Sequence, residues 1–176
     1  LHQEAALADA QPQREELLAL VELLSFDLCL AERRHAQVQD HVAKRLAKQL
    51  TAAGIPAADL QGNLSQNARE RNLGMFSTGE IKVLVATDVA ARGVHVDDIA
   101  LVVHVDPPAE HKAYLHRSGR TARAGAEGLV VTVMTPDQRN DVRQLAKQAK
   151  IEPLITHVSP GHVMLIELTG PHADKV

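Results

Sequence analysis

Three short apolar runs, at residues 81–86, 100–105 and 129–134, limit the fold of this 176-residue chain more than any other feature. Each is almost continuously Val, Leu, Ile or Ala, the pattern of a strand covered on both faces. Polar stretches with helical periodicity lie between them. Short buried strands alternating with helices predict an α/β fold, a parallel sheet flanked by helices in three layers.

The remaining segments fit that plan. Residues 1–13 read as a polar lead-in and 14–24 as a helix, with Glu15 and Glu16 placed at the positive end of its dipole. From about Gln39 the helical period is clear, with Val42, Leu46 and Leu50 on one side and Gly54 as a left-handed cap. Residues 55–60 read as a short edge-type strand with Pro56 near its start. Ser65 caps a predicted helix over 66–76, and Gly79 ends the connection that follows. Asp106-Pro107-Pro108 is expected to open a helix running through Tyr114 to Arg117. Pro136 is expected to open another through Val142 and Leu145 to about Lys150, and the tail reads as a short strand and loop.

Composition narrows the function classes. The net charge of −3 gives no bulk attraction for nucleic acid, so such a partner needs a local basic strip. Phe26, Phe76 and Tyr114 are the only aromatics, which leaves no platform for stacking bases. A single cysteine, Cys29, rules out an internal disulfide and fits a reducing, cytoplasmic compartment. The ten histidines fall in no ligand pattern and are expected to lie scattered on the surface, with no metal site. No signal peptide or bilayer-length apolar run occurs, and the chain begins at Leu1, as a processed or excised piece does.

In open parallel sheets ligands bind beyond the carboxyl ends of the strands. Those positions hold Thr87 and Asp88 after the first apolar run, with Arg92 and Gly93 shortly beyond, and Asp106 after the second. A second concentration of chemistry is His116-Arg117-Ser118-Gly119-Arg120-Thr121-Ala122-Arg123. Its three guanidiniums recur at intervals of three, so on a helix they share a face, with Gly119 and Ala122 allowing close approach. Arginine stays charged and its planar fork suits phosphate oxygens.

These residues carry a resemblance. The stretch 85–93 resembles motif V of DEAD-box RNA helicases, 116–123 their motif VI (HRxGRxxR), and Gln66-Asn67-Ala68-Arg69 their QxxR element. Asp106-Pro107 and Tyr114 also match the run leading into motif VI. From about residue 39 to 150 the chain is similar to the C-terminal helicase domain of that family, of bacterial type, whose fold is RecA-like. The resemblance implies a division into a lead-in (1–38), the helicase domain (39–150) and a C-terminal extension (151–176).

The resemblance also implies roles. Arg120 and Arg123 match arginine fingers that reach the γ-phosphate of ATP held by the other domain. His116 and Arg117 match positions that couple the two domains. Gln66, Arg69, Thr87, Asp88, Arg92 and Gly93 match the side that holds the RNA backbone, which makes binding independent of sequence. Where the family has an Asp for the ATP ribose this chain has His95, with Asp97 close enough to take that role. No apolar strand ending in a Phe-x-x-Thr-like motif IV precedes residue 39, and a compensated frameshift over 25–38 would account for that.

Neither a GxxxxGK[ST] phosphate loop nor an Asp-Glu-Ala-Asp motif occurs in the 176 residues. ATP and Mg²⁺ are therefore expected to be held mainly by an N-terminal RecA-like partner domain, and the chain alone is expected not to hydrolyse ATP. The alternatives are a stand-alone RNA- or protein-binding module, or half of a DNA helicase of the same superfamily.

Overall fold

The computed structural model describes residues 36–91, 94, 96, 99–105, 107–121 and 129–151, and the backbone of 154–159 and 163–169. They fall into two compact units, one within 29–95 and the other within 96–176. The expected helix at 14–24 and the unreadable stretch 25–35 lie outside the described residues.

The first unit opens with helix α1 (Ala36–Ala52). Its apolar face buries Leu46 and Leu50, as the periodicity predicts, together with Ala43 and Ala47, while Val42 is half-buried and His41, Lys44, Arg45 and Lys48 face outward. Gly54, at φ +89°, closes the helix in a Schellman turn: Ile55 N–H bonds the Leu50 carbonyl at 2.9 Å and Gly54 N–H that of Thr51 at 3.1 Å.

Strand β1 (Ala57–Leu60) then pairs in parallel with β2 (Val83–Ala86), Leu60 opposite Ala86. Helix α2 (Gln66–Ser77) crosses between them, and the Ser65 hydroxyl accepts from Ala68 N–H at 3.3 Å, the expected cap. Buried Asn72 fixes α2 to the strand, donating to the Asp59 carbonyl at 2.9 Å. The four-residue helix α3 (Asp88–Ala91) follows β2. Val83, Leu84 and Val85 are only half-buried, not covered on both faces as their apolarity suggested. Among the described residues β2 has one hydrogen-bonded neighbour, β1.

The second unit is built on β4 (Leu129–Met134), whose residues 130–134 are all buried. Strand β3 (Leu101–His104) pairs with it in parallel. Helix α4 (His111–Ser118) leads from β3, and a 3₁₀ turn at Pro136–Gln138 leads from β4 into α5 (Arg139–Ala149). Thr135 and Gln138 form a capping box there. The tail supplies two strands rather than one: β5 (Leu154–Ser159) and β6 (Val163–Thr169) form an antiparallel hairpin, and β6 runs antiparallel to β4. The order is β3-β4-β6-β5, so the parallel α/β plan holds for the pairs β1–β2 and β3–β4 and ends at the hairpin. Between the sheet and the helices lies a core of Tyr114, Val130 and Leu145, packed by Val102, Leu115, Ala149 and Ile151.

Helix α4 starts at His111, behind Glu110, rather than at Asp106. Two consecutive prolines explain the delay. Pro108 pushes Pro107 out of the helical region, so the chain stays extended until it has passed both rings.

Candidate functional site: the arginine turn and the strand-end segment

Helix α4 ends at Ser118, so Arg117 and Arg120 do not lie on one continuous helical face. Gly119 is the C-cap, at φ −65° and ψ 10°. Its N–H returns to the Leu115 carbonyl at 2.8 Å, and a Cβ at this position would stand 3.0 Å from that same oxygen. The missing side chain thus spares a tight contact within its own helix. A tight turn follows, with Arg120 N–H on the Arg117 carbonyl (3.3 Å) and Thr121 N–H on that of Ser118 (3.0 Å). Buried Thr121 is drawn beside Ile99, through a parallel bridge and a hydrogen bond from its hydroxyl to the Ile99 carbonyl. Arg120 is half-buried in this turn, His116 is exposed, and Arg117 and Arg120 both have interaction partners within the chain.

Beneath α4 lies a polar cluster that the sequence reading missed. His104 is 3% exposed at the end of β3, correcting the expectation that the histidines lie on the surface. Its Nδ1 is 3.1 Å from Thr132 Oγ1, the hydroxyl of the residue directly opposite on β4. Its ring meets Tyr114 of α4 edge-to-face, with centroids 5.0 Å apart and planes at 80°. Burial, aided by the nearby Arg117 charge, pushes its pKa down to about 3, so the imidazole is neutral. Burial likewise pushes the Tyr114 phenol up to about 12, with Ser118 pulling slightly the other way. The Ser118 hydroxyl donates to the Tyr114 carbonyl at 2.7 Å, however, and the phenol oxygen has no hydrogen-bond partner of good geometry among the described residues. His104 Nε2 has none either. A histidine inside an otherwise apolar run, Leu101-Val102-Val103-His104-Val105, was the signal available in the sequence.

In the first unit, Arg69 of α2 donates through Nη2 to the Ala90 carbonyl at 2.5 Å. A four-residue helix leaves its carbonyls without internal partners, and this guanidinium supplies one. Thr87 sits at the end of β2, its N–H on the Leu60 carbonyl (3.1 Å) and its own carbonyl accepting from Ala91 N–H (2.8 Å). Its hydroxyl is buried and has no partner among the described residues, an uncommon state for a polar atom. Asp88 is exposed in the first turn of α3, and Gln66 is exposed and donates to Glu70 Oε1 at 2.6 Å. Five of the candidate residues, Arg92, Gly93, His95, Asp97 and Arg123, lie outside the described residues, as does Asp106. Among the described residues no group of His, Cys, Asp and Glu could hold a metal ion.

Residues 20–125 match the helicase conserved C-terminal domain. The chain belongs to the helicase C-terminal domains of DEAD-box RNA helicases. It is 44% identical over 109 residues to DEAD-box ATP-dependent RNA helicase 28 of Oryza sativa subsp. japonica, covering 62% of this chain and 14% of that protein. It is 39% identical over 106 residues to DEAD-box ATP-dependent RNA helicase CshC of Bacillus cereus, covering 60% of this chain and 27% of that one. The structure of S. cerevisiae Dbp5 bound to RNA and ADP BeF3 superposes with a TM-score of 0.57 at 31% identity, over 62% of this chain and 30% of the other. The chain thus spans less than a third of each of these relatives. The relatives come from plant, bacterium and yeast alike, so the expectation of a bacterial type gains no support from them.

Proposed function

We propose that this chain is the second half of an ATP-dependent RNA helicase, working with a partner domain that carries the phosphate loop and the Asp-Glu-Ala-Asp motif. The observation that carries this is the held turn at Arg117–Thr121, with Arg120 fixed between a glycine closure and an anchored threonine. A backbone held ahead of the reaction leaves less reorganisation for the guanidinium it carries as negative charge builds on a transferring phosphoryl group. The chain's contribution at the ATP phosphates is cationic, Arg120 with Arg123, and the partner domain would hold the Mg²⁺. ATP hydrolysis would supply the free-energy drop that separates RNA strands. His116 and Arg117 face the coupling role, and His95 or Asp97 the ribose. Gln66, Arg69, Thr87, Asp88, Arg92 and Gly93 form the RNA-backbone side. The division into lead-in (1–38), helicase domain (39–150) and extension (151–176), and a cytoplasmic location, belong to this reading. Among the described residues no helix is long and apolar enough to cross a membrane.

The test is reconstitution. The chain mixed with a separately produced phosphate-loop helicase domain is expected to show RNA-stimulated ATPase that neither part shows alone. Arg120→Ala is expected to lower that activity by about a thousandfold, with the melting temperature unchanged. ATPase from the chain alone, or stimulation by DNA and not RNA, overturns the reading.

A further inference from the structure

We propose that His104, acting with Thr132, is a positioning residue for the arginine turn that follows α4. The inference rests on the function proposed above, because it concerns where the guanidiniums point.

The segment from Tyr114 to Thr121 is held at both ends. At its far end Thr121 is tied to Ile99 by a bridge and a hydroxyl hydrogen bond. At its near end Tyr114 is 3% exposed and meets the His104 ring edge-to-face at 5.0 Å. His104 is in turn oriented by the Thr132 hydroxyl at 3.1 Å, across a pair in register between β3 and β4. Arg117 and Arg120 lie between these two anchors, and the closure of Gly119 on Leu115 removes the slack between them.

Stability alone does not account for an imidazole here. A Leu or Val at the end of β3 would fill apolar space without burying a polar ring. His104 buries two nitrogens and pairs one among the described residues, an arrangement that costs desolvation without full return. What it supplies is direction. A hydrogen bond to Thr132 and a T-shaped contact fix the ring angle of Tyr114 more narrowly than aliphatic packing does. Tyr114 is on the same helix as Arg117, one turn before it, so a rotation of α4 swings the guanidinium.

Two variants test this, Thr132→Val, which removes only the hydroxyl, and His104→Leu, which removes the ring. Each is read in the reconstituted ATPase and, on the chain alone, in the side-chain Nε–H resonances of Arg117 and Arg120, with exposed Arg143 as the internal control. The expected result is a kcat lowered roughly tenfold to a hundredfold with KM for ATP and RNA within about twofold, and melting near that of the unsubstituted chain. The Arg117 and Arg120 resonances shift while that of Arg143 stays. Unchanged kcat in a folded variant, or unmoved arginine resonances, overturns the proposal. If His104→Leu does not fold, Thr132→Val decides by the same readings. If the unsubstituted mixture shows no ATPase, the function reading fails, and the arginine resonances alone decide the positioning.

Discussion

The two units hold their candidate residues by opposite means. Around β4 the arginine turn rests on buried polar groups, His104, Thr132, Tyr114 and Thr121, that reach it from below through the core. In the unit built on β1 and β2 the bonds to Arg69 and Gln66 lie nearer the surface, where Arg69 staples the Ala90 carbonyl and Gln66 meets Glu70 along the helix. Buried polar groups are strong only when paired, and costly when not. A fully exposed pair such as Gln66–Glu70 is worth little in either state, and the part-buried bond of Arg69 lies between the two extremes. The stability of the β4 unit should therefore depend on pH through His104, a dependence that the bonds of Arg69 and Gln66 lack.

The largest expected effect is the acid response of His104. Folded, it stays neutral down to about pH 3, whereas an unfolded histidine protonates near 6.5. Between those values the unfolded chain binds more protons, so this contribution is full above pH 6.5 and is lost as pH falls toward 3. The slope is about 1.4 kcal/mol per pH unit, and the whole window amounts to the order of 5 kcal/mol. Denaturant melts of the chain and of His104→Leu across pH 7 to about 4 should diverge, the variant showing the flatter acid limb. Parallel limbs would mean that the cluster is open to water, and the contrast between the units would fail. Tyr114 acts at the other extreme: its folded pKa of about 12 exceeds the ordinary 10.0, so it lowers stability as pH rises above 10.0.

Next in size is Arg69→Leu. Its bond to Ala90 is charge-assisted and part-buried, and its loss should cost about 1.5 kcal/mol, read as a shift in the denaturant midpoint. Because no buried titrating group is involved, that cost should be the same at pH 5 and pH 8 (about three units spanning the histidine range). A pH-dependent cost would make the two units alike.

A third test uses a feature the units share. Both α1 and α5 end in a Schellman turn, Ile55 N–H on Leu50 and Ile151 N–H on Ala146, at 2.9 and 3.0 Å. The left-handed position is Gly54 in one and Lys150, at φ +56°, in the other. A Cβ in that conformation costs about 1 kcal/mol, so Lys150→Gly is expected to stabilise the chain by about that amount. Gly54→Ala, at φ +89° with nothing within 4 Å of its Cβ, should destabilise it by a similar ~1 kcal/mol. Equal and opposite shifts would show that backbone conformation, not packing, sets the ends of both helices.

What the sequence made legible follows the same division. Local rules read the helices of the first unit well, because Ser65, Gly54 and the face of α1 act within one or two turns of where they stand. In the second unit β4 was read in full and α5 in its extent, but not what joins them to the site. Pro107-Pro108 looked like a helix start and delayed one. The spacing of Arg117 and Arg120 suggested one helical face, yet Gly119 ends the helix between them. His104 and Thr132 are 28 residues apart, and only the pairing of β3 with β4 brings them together. Pairing across such separations is set by topology, to which periodicity and capping signals are blind.

The smallest expected effect is the sharpest check on the surface-held unit. Gln66 is exposed and donates to Glu70, one turn along α2, at 2.6 Å. Such a pair stabilises a helix by about 0.3 kcal/mol, and alanine has the better helix propensity. Gln66→Ala should therefore leave the melting temperature unchanged within error. RNA affinity of the reconstituted enzyme is expected to fall severalfold in the same variant, because the proposed role of Gln66 is toward the RNA backbone. A loss of stability with RNA binding intact would invert that assignment. The residue would then be a strut of α2, and the RNA-facing side would have to be sought around Thr87, whose buried hydroxyl has no partner among the described residues.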